Sequence, residues 1–236
     1  MQSSSIWKCS AVLTVALSLA FMGIAAESHK TAERVMLKDG KLLSVEGGKT
    51  TPVKEAVYLP YEIKVTTNAT FTVNKGKERH LKEGQVLDKE GMLTSPDGSV
   101  EPVIDHVAMK NGKLILVKDG ESTPLDHDIL FPDGSKLVTD GTLRTRDGRL
   151  KRVIDGELFK LDGEALSSRD TITLQKGKVV VQKDGSLLTL SPYQSIMMND
   201  GTKAFGNGTV VMKDGSTVTL NDGQILTVEG VTAAKN

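Results

Sequence analysis

The dipeptides Asp-Gly and Asn-Gly recur along this chain at nearly constant intervals. In the middle of the chain the turn glycines are 7, 7, 8 and 7 residues apart, at Gly134, Gly141, Gly148, Gly156 and Gly163. Glycines follow the same steps near the C-terminus, at Gly201, Gly208, Gly215, Gly223 and Gly230. Asp-Gly and Asn-Gly favour type I′ hairpin turns, because both central residues of such a turn need a positive φ. A turn every seven or eight residues leaves strands of about five residues, which is an ordinary strand length.

The turn pattern divides the chain into three related units. Their bounds are Arg34–Gly91, His106–Gly163 and Thr171–Gly230. Apolar residues recur two positions after a turn glycine in each unit, at Leu42, Leu114 and Val179. Pro52 in the first unit matches Pro124 in the second. The first unit departs from the pattern at Glu62 and Ala69, which stand where glycine is expected.

The pattern predicts an all-β fold of antiparallel hairpins and meanders. Alternation of apolar and polar residues, as in Thr209–Lys213, is typical of a sheet with one wet face. A lone hairpin is not stable in water, so each unit must form a small barrel or sandwich, or stack on its neighbours. These three alternatives stay open. The piece at residues 92–105 has its own Asp97-Gly98 turn and is predicted to be an extra hairpin or a linker.

The repeated turn motifs carry a family resemblance. They are Leu37–Gly40, Met109–Gly112 (with Asn) and Met212–Gly215. With these motifs the chain resembles a family of bacterial exported proteins, domain of unknown function 6799. The resemblance spans nearly all of the chain after its N-terminal segment. It implies no activity, ligand or catalytic residue.

The N-terminus has the layout of a secretory signal peptide, predicted over residues 1–26. Lys8 precedes an apolar run that begins at Ala11 and ends in small residues at Ala25 and Ala26. The alternative is an uncleaved anchor, and we expect membrane attachment only in that case. Cleavage would remove Cys9 and leave a chain without thiols. The sequence therefore predicts an exported protein, either periplasmic or extracellular.

The balance of charge argues against several functions. With 30 basic and 30 acidic residues and few aromatic residues, the sequence does not favour nucleic-acid binding. The four histidines show no metal-ligand spacing, and there is no Gly-x-Ser-x-Gly motif. We therefore expect no enzyme, no catalytic residue and no cofactor. The Asp126-His127-Asp128 cluster could hold a metal, but a solvated loop is favoured, so no metal site is predicted.

The strongest local feature is a basic hairpin around the Asp147-Gly148 turn. A two-residue turn would pair Arg146 with Arg149 and Arg144 with Lys151, and would place all four cations on one face. Like charges directly opposed destabilise a sheet, so an anionic ligand could offset them. The alternative, which we favour, is an ordinary solvated strand face.

These observations predict a non-catalytic exported structural or interaction protein. Its expected partners are an envelope protein or an anionic polysaccharide. The alternative function is a binding module for an anionic polymer, either an acidic glycan or a phosphate-bearing polymer. In that case Arg144, Arg146, Arg149 and Lys151 would be the binding residues.

Overall fold

A computed structural model describes residues 30–232, and the predicted signal segment lies outside this range. Between residues 30 and 232 the chain forms strands, turns and bends without any helix. These residues therefore contain no helix that is long and apolar enough to cross a membrane. The prediction of an all-β repeat protein is confirmed.

The first repeat has eight strands, and an additional hairpin follows it. Its strands are β1 (Arg34–Lys38), β2 (Lys41–Glu46), β3 (Lys49–Pro52), β4 (Val57–Leu59), β5 (Ile63–Val65), β6 (Thr70–Val73), β7 (Arg79–His80) and β8 (Val86–Asp88). The additional hairpin is β9 (Met92–Thr94) and β10 (Val100–Pro102). This hairpin lies in residues 92–105, for which the sequence predicted either an extra hairpin or a linker.

The second and third repeats have the same order of strands. The second has β11 (His106–Lys110), β12 (Lys113–Lys118), β13 (Glu121–Pro124), β14 (Ile129–Leu130), β15 (Lys136–Leu137), β16 (Thr142–Arg144), β17 (Leu150–Arg152) and β18 (Leu158–Lys160). The third has β19 (Ala165–Gln175), β20 (Lys178–Lys183), β21 (Ser186–Leu190), β22 (Ser195–Met197), β23 (Lys203–Phe205), β24 (Thr209–Val211), β25 (Thr217–Thr219) and β26 (Ile225–Thr232).

Each repeat is built from two antiparallel sheets. Three strands form a meander, the chain crosses over into a four-stranded meander, and the eighth strand returns to pair with the first. Val35 on β1 thus lies opposite Leu87 on β8, and the second and third repeats are closed in the same way. Because the sheets of the described residues keep free edges, each repeat is a small sandwich rather than a barrel.

The two sheets of each repeat face each other across their own apolar core. In the first repeat this core joins Val35 and Leu42 of one sheet to Ile63 and Phe71 of the other. The cores of the other two repeats have the same composition of aliphatic side chains with few aromatics. The second is Val107, Met109, Leu114, Leu125, Phe131, Leu137, Leu143, Val153 and Phe159, and the third is Ile172, Val179, Val181, Leu190, Met198, Ala204, Val210, Leu220 and Val228.

The turns are of two kinds, and the prediction of type I′ turns throughout was wrong. Both residues of Asp39-Gly40 and of Asp119-Gly120 have positive φ, as a type I′ turn requires. In the four-stranded sheets of the second and third repeats only the glycine of each turn has positive φ, as at Gly148, whose N–H donates to the Thr145 carbonyl at 2.9 Å. That arrangement is a three-residue loop with glycine in the left-handed position. It shifts the register of the strands that it joins.

The first repeat keeps left-handed backbone where it lacks glycine. Glu62 has φ 53° and Ala69 has φ 62°. Ala69 is buried, so its methyl group offsets part of the strain, whereas the Glu62 side chain is exposed. A left-handed conformation costs a residue with a β-carbon roughly 1–2 kcal/mol.

The variant Glu62→Gly should therefore be more stable than the wild type. We expect an increase of about 1 kcal/mol in the free energy of unfolding, because glycine removes the strain at φ 53°. Urea unfolding followed by circular dichroism measures it. Glu101→Gly, at an exposed position within β10, is the control and should lower stability. An unchanged or reduced stability of Glu62→Gly would contradict the account of this turn.

The second and third repeats are joined through a shared strand rather than through a linker. Strand β19 pairs with β18 of the second repeat at its N-terminal end and with β20 of the third repeat beyond it. The second and third repeats therefore share one eight-stranded sheet. The β9–β10 hairpin extends the sheet of the first repeat to six strands and lies against β19.

Candidate functional site

The basic hairpin lies on β16 and β17, but its register differs from the prediction. Arg144 lies opposite Leu150, and Leu143 lies opposite Lys151. The three-residue loop causes this difference, because the prediction assumed a two-residue turn. A one-residue shift moves a side chain to the other face of the sheet. Arg144 and Lys151 therefore lie on opposite faces, and the predicted face of four cations is not formed.

Lys151 is on the inner face and has a structural partner. Its Nζ lies 2.6 Å from Oε1 of Glu157, whose side chain is 3% exposed. The other carboxylate oxygen of Glu157 accepts a hydrogen bond from the Ile154 N–H at 3.0 Å. A buried carboxylate needs such partners, since an unpaired buried charge is costly. The Lys151 ammonium group therefore has a structural role, as the partner of Glu157 on the inner face of the sheet.

Arg146 and Arg149 lie at the tip of the hairpin beside two aspartates. The Arg149 Nε donates to Asp147 at 2.5 Å. Hydrogen bonds from the Thr145 hydroxyl and then from Arg149 lower the pKa of Asp147 to about 2. The two arginines line a shallow depression of about 470 Å³ together with Asp133, Ser135, Thr145 and Asp147. Its charges balance, so the depression has no net attraction for an anion.

Arg144 lies on the outer face within a row that crosses the sheet. The row runs from Leu130 through Lys136 and Arg144 to Leu150. Leu130 is 72% exposed and Leu150 is 71% exposed. Lys136 is bonded to Asp128 at 2.7 Å, whereas Arg144 has no ion pair within residues 30–232. Sequence reasoning missed Lys136 because finding it required the correct turn type.

The remaining polar candidates are held by local contacts. The His127 Nδ1 lies 2.6 Å from Asp126 on the surface, and Asp128 accepts from the Thr139 N–H at 3.1 Å. His106 is buried with its Nδ1 2.8 Å from the Ile104 carbonyl oxygen, and burial lowers its pKa. In the part of the chain that the structure describes, no group of three or more His, Cys, Asp or Glu side chains could hold a metal ion.

Asp170 is a buried carboxylate at the start of the third repeat. It accepts hydrogen bonds from the Asp184 N–H at 3.0 Å and from the Asn199 amide at 3.2 Å. Burial raises its pKa to about 6. Asp105 accepts the matching bond from the Asp119 N–H at 2.8 Å in the second repeat. These carboxylates hold the backbone of a type I′ turn, which is a structural role.

A wider cleft of about 920 Å³ opens between the repeats. Its lining includes Ile115 and Val117 on the outer face of β12, with Arg79 and Arg169 among the charged groups. The Arg79 guanidinium stacks on Phe71 at 4.8 Å. Arg169 is bonded to Asp88 and Glu90 of the first repeat. The arginines of the cleft thus serve the contacts between and within repeats.

The fold and the surface chemistry define a class, an all-β protein of three fused sandwiches. The family model of the domain of unknown function DUF6799 matches residues 32–93, 104–165 and 169–232. The chain belongs to this family. A comparison with curated proteins gave no match. Among solved structures, virginiamycin B lyase from Staphylococcus aureus is similar at 12% identity, with 78% of this chain and 82% of that chain covered. Its TM-score of 0.17 supports no inference about fold or function.

Lys151 and Glu157 should behave as a coupled structural pair. The third repeat has Val218 and Gln224 at the corresponding positions. The Gln224 side chain is uncharged, and its Oε1 accepts a hydrogen bond from the Asn221 N–H at 3.1 Å. Lys151→Val should lower the free energy of unfolding by about 3 kcal/mol, because it leaves the Glu157 carboxylate buried and unpaired.

The double variant Lys151→Val/Glu157→Gln should recover most of this loss, since it reproduces the neutral arrangement of the third repeat. Urea unfolding of both single variants and the double variant measures the coupling. Additive losses would show that the two side chains do not act as a pair.

Proposed function

We propose that this protein is a non-catalytic exported scaffold, whose three sandwiches act as one rigid body that presents surfaces to partners. The observation that supports this most strongly is strand β19, an 11-residue strand shared by two repeats. A shared strand leaves no linker about which the second and third repeats can rotate relative to each other. The N-terminal segment at residues 1–26 supports export to the periplasm or the cell exterior. An envelope protein is the proposed partner.

Side chains tie the first repeat to the third. The Gln182 side-chain amide donates to the Val100 carbonyl at 2.8 Å and accepts from the Val100 N–H at 2.6 Å. The Thr171 hydroxyl donates to the Gly98 carbonyl, and Arg169 donates to Asp88. These bonds join β19 and β20 of the third repeat to β8 and to the β9–β10 hairpin. They favour a fixed angle between the two repeats.

The first repeat is also bound to the second. The Lys77 N–H donates to Asp119 at 3.0 Å, and the Lys77 side chain forms an ion pair with Glu121. An apolar cluster of Ile104, Leu158 and Leu166 lies at this junction. Apolar burial contributes more than an exposed ion pair, so the cluster supplies most of the stabilisation here.

Scattering by the dilute protein tests the rigid scaffold. Small-angle X-ray scattering of the wild type should fit one compact shape. The variant Arg169→Ser/Gln182→Ala should have a larger radius of gyration, because it removes the bonds from the third repeat to Asp88 and Val100. Gln224→Ala, which affects a turn within the third repeat, is the control and should match the wild type. Scattering data of the wild type that fit only an ensemble of separated repeats would contradict the proposal.

A second candidate function is binding of an anionic polymer by the outer row of the second repeat. The supporting observation is Arg144, an exposed cation directly opposite Lys136 and flanked by exposed leucines. The row provides charge for a sulfated or phosphate-bearing chain and apolar surface beside it. Arg146 and Arg149 are unsuited to this role, because Asp133 and Asp147 lie beside them.

Binding of heparin at low salt tests this candidate. Lys136→Ser/Arg144→Ser should weaken binding about tenfold, which corresponds to about 1.4 kcal/mol, because Arg144 contributes roughly 1 kcal/mol and Lys136, which is paired with Asp128, contributes less. Arg149→Ser is the control and should bind like the wild type, since Arg149 is already paired with Asp147. Equal losses in the two variants, or no binding by the wild type, would rule out the row as the site.

A further inference from the structure

The two large sheets have five edge strands, which differ in how their free edges are protected. The six-stranded sheet ends in β3 and β10, the eight-stranded sheet ends in β13 and β21, and β26 is a further edge beside β19. An edge strand presents unpaired backbone N–H and C=O groups that can pair with another chain. The Gln182 side chain covers Val100 on β10. Strands β3, β13 and β21 have equivalent places in the three repeats, and their edges depend on their own residues.

The register shows which residues face the free edge. In a type I′ hairpin the pair that closes the turn is hydrogen-bonded, and the pairs then alternate. Pro52 lies opposite Leu43, Pro124 lies opposite Ile115, and both pairs are of the non-bonded kind. The backbone nitrogen of each proline therefore points outward. Since proline has no N–H, β3 and β13 cannot donate there.

Strand β21 has no such protection. Thr189 lies opposite Val180, at the position that corresponds to Pro52 and Pro124, and it has an N–H. Leu187 is the other residue whose backbone faces outward. Within residues 30–232 no strand pairs with this side of β21.

The side chains of β21 also favour pairing. Leu187 is 47% exposed and Leu188 is 44% exposed. Strand β21 has no charged residue, whereas β3 begins with Lys49 and β13 begins with Glu121. Charged residues on an edge oppose association with another strand. The third repeat thus lacks both devices that protect the equivalent edges of the first two.

We propose that β21 pairs antiparallel with β21 of a second copy of this chain, about a two-fold axis at Leu188. Leu187 then lies opposite the Thr189 of the other copy, and each of the two residues donates an N–H and accepts one. Leu188 meets its own counterpart in a non-bonded pair, where side chains come closest. The pairing makes one sheet continuous through both copies.

A second copy is the occupant that this edge fits best. Antiparallel pairing about a two-fold axis needs a strand that is complementary to itself. The sequence around Leu188 meets this condition, because its outward N–H and C=O groups lie symmetrically on either side. An unrelated strand would satisfy the backbone but would not place Leu188 against another leucine.

The apparent mass of the purified protein over a range of concentrations tests the pairing. In light scattering coupled to size exclusion, the apparent mass of the wild type should rise with concentration from that of a monomer toward that of a dimer. Thr189→Pro, which restores the residue of the first two repeats, should remain a monomer at every concentration and should melt like the wild type at concentrations where the wild type is a monomer. Thr189→Ser keeps the N–H and should dimerise like the wild type.

A wild type that stays monomeric at its highest soluble concentration would overturn the pairing, and so would a dimer of Thr189→Pro. If Thr189→Pro does not fold, Leu188→Lys decides the question, because it places two ammonium groups together at the axis. A monomer supports the pairing, and a dimer overturns it. Neither result affects the rigid scaffold, which is tested on the dilute protein.

Discussion

The pairing of the eighth strand with the first is the constraint on which each repeat depends. It brings together segments that are far apart in the chain, so that Val35 meets Leu87 and Ile172 meets Leu226. Only with this pairing do both sheets of a repeat enclose a common core. A meander without it would expose one apolar face to water and would be marginal in stability.

The closure is reinforced by a polar contact that all three repeats have. A carboxylate just before the closing strand accepts an N–H from the first hairpin turn. The three bonds run from Gly40 to Glu83, from Gly112 to Asp155 and from Gly177 to Asp222. The repeats vary around this contact. One variation is the Lys151–Glu157 pair, whose positions are held by the uncharged residues Val218 and Gln224 in the third repeat.

Much of the fold could be predicted from the sequence, but the candidate site could not. The spacing of turn glycines and apolar residues indicated strands, repeats and cores, because both patterns depend on local geometry. The register around Asp147-Gly148 was wrong, since Asp-Gly suits a three-residue loop as well as a type I′ turn. Contacts such as Gln182 with Val100 join distant segments, and no local pattern signals them. The unprotected edge at Thr189 could be recognised only after the register was known.

Hydrogen exchange at individual backbone amides tests the role of closure most directly. If closure holds each repeat together, the bonded amides of β8, β18 and β26 exchange only when the whole repeat unfolds. Their exchange should be as slow as that of core residues such as Ile63 and Val210. Closing strands that exchange as fast as the edge strands β3 and β13, while the cores stay protected, would contradict the account.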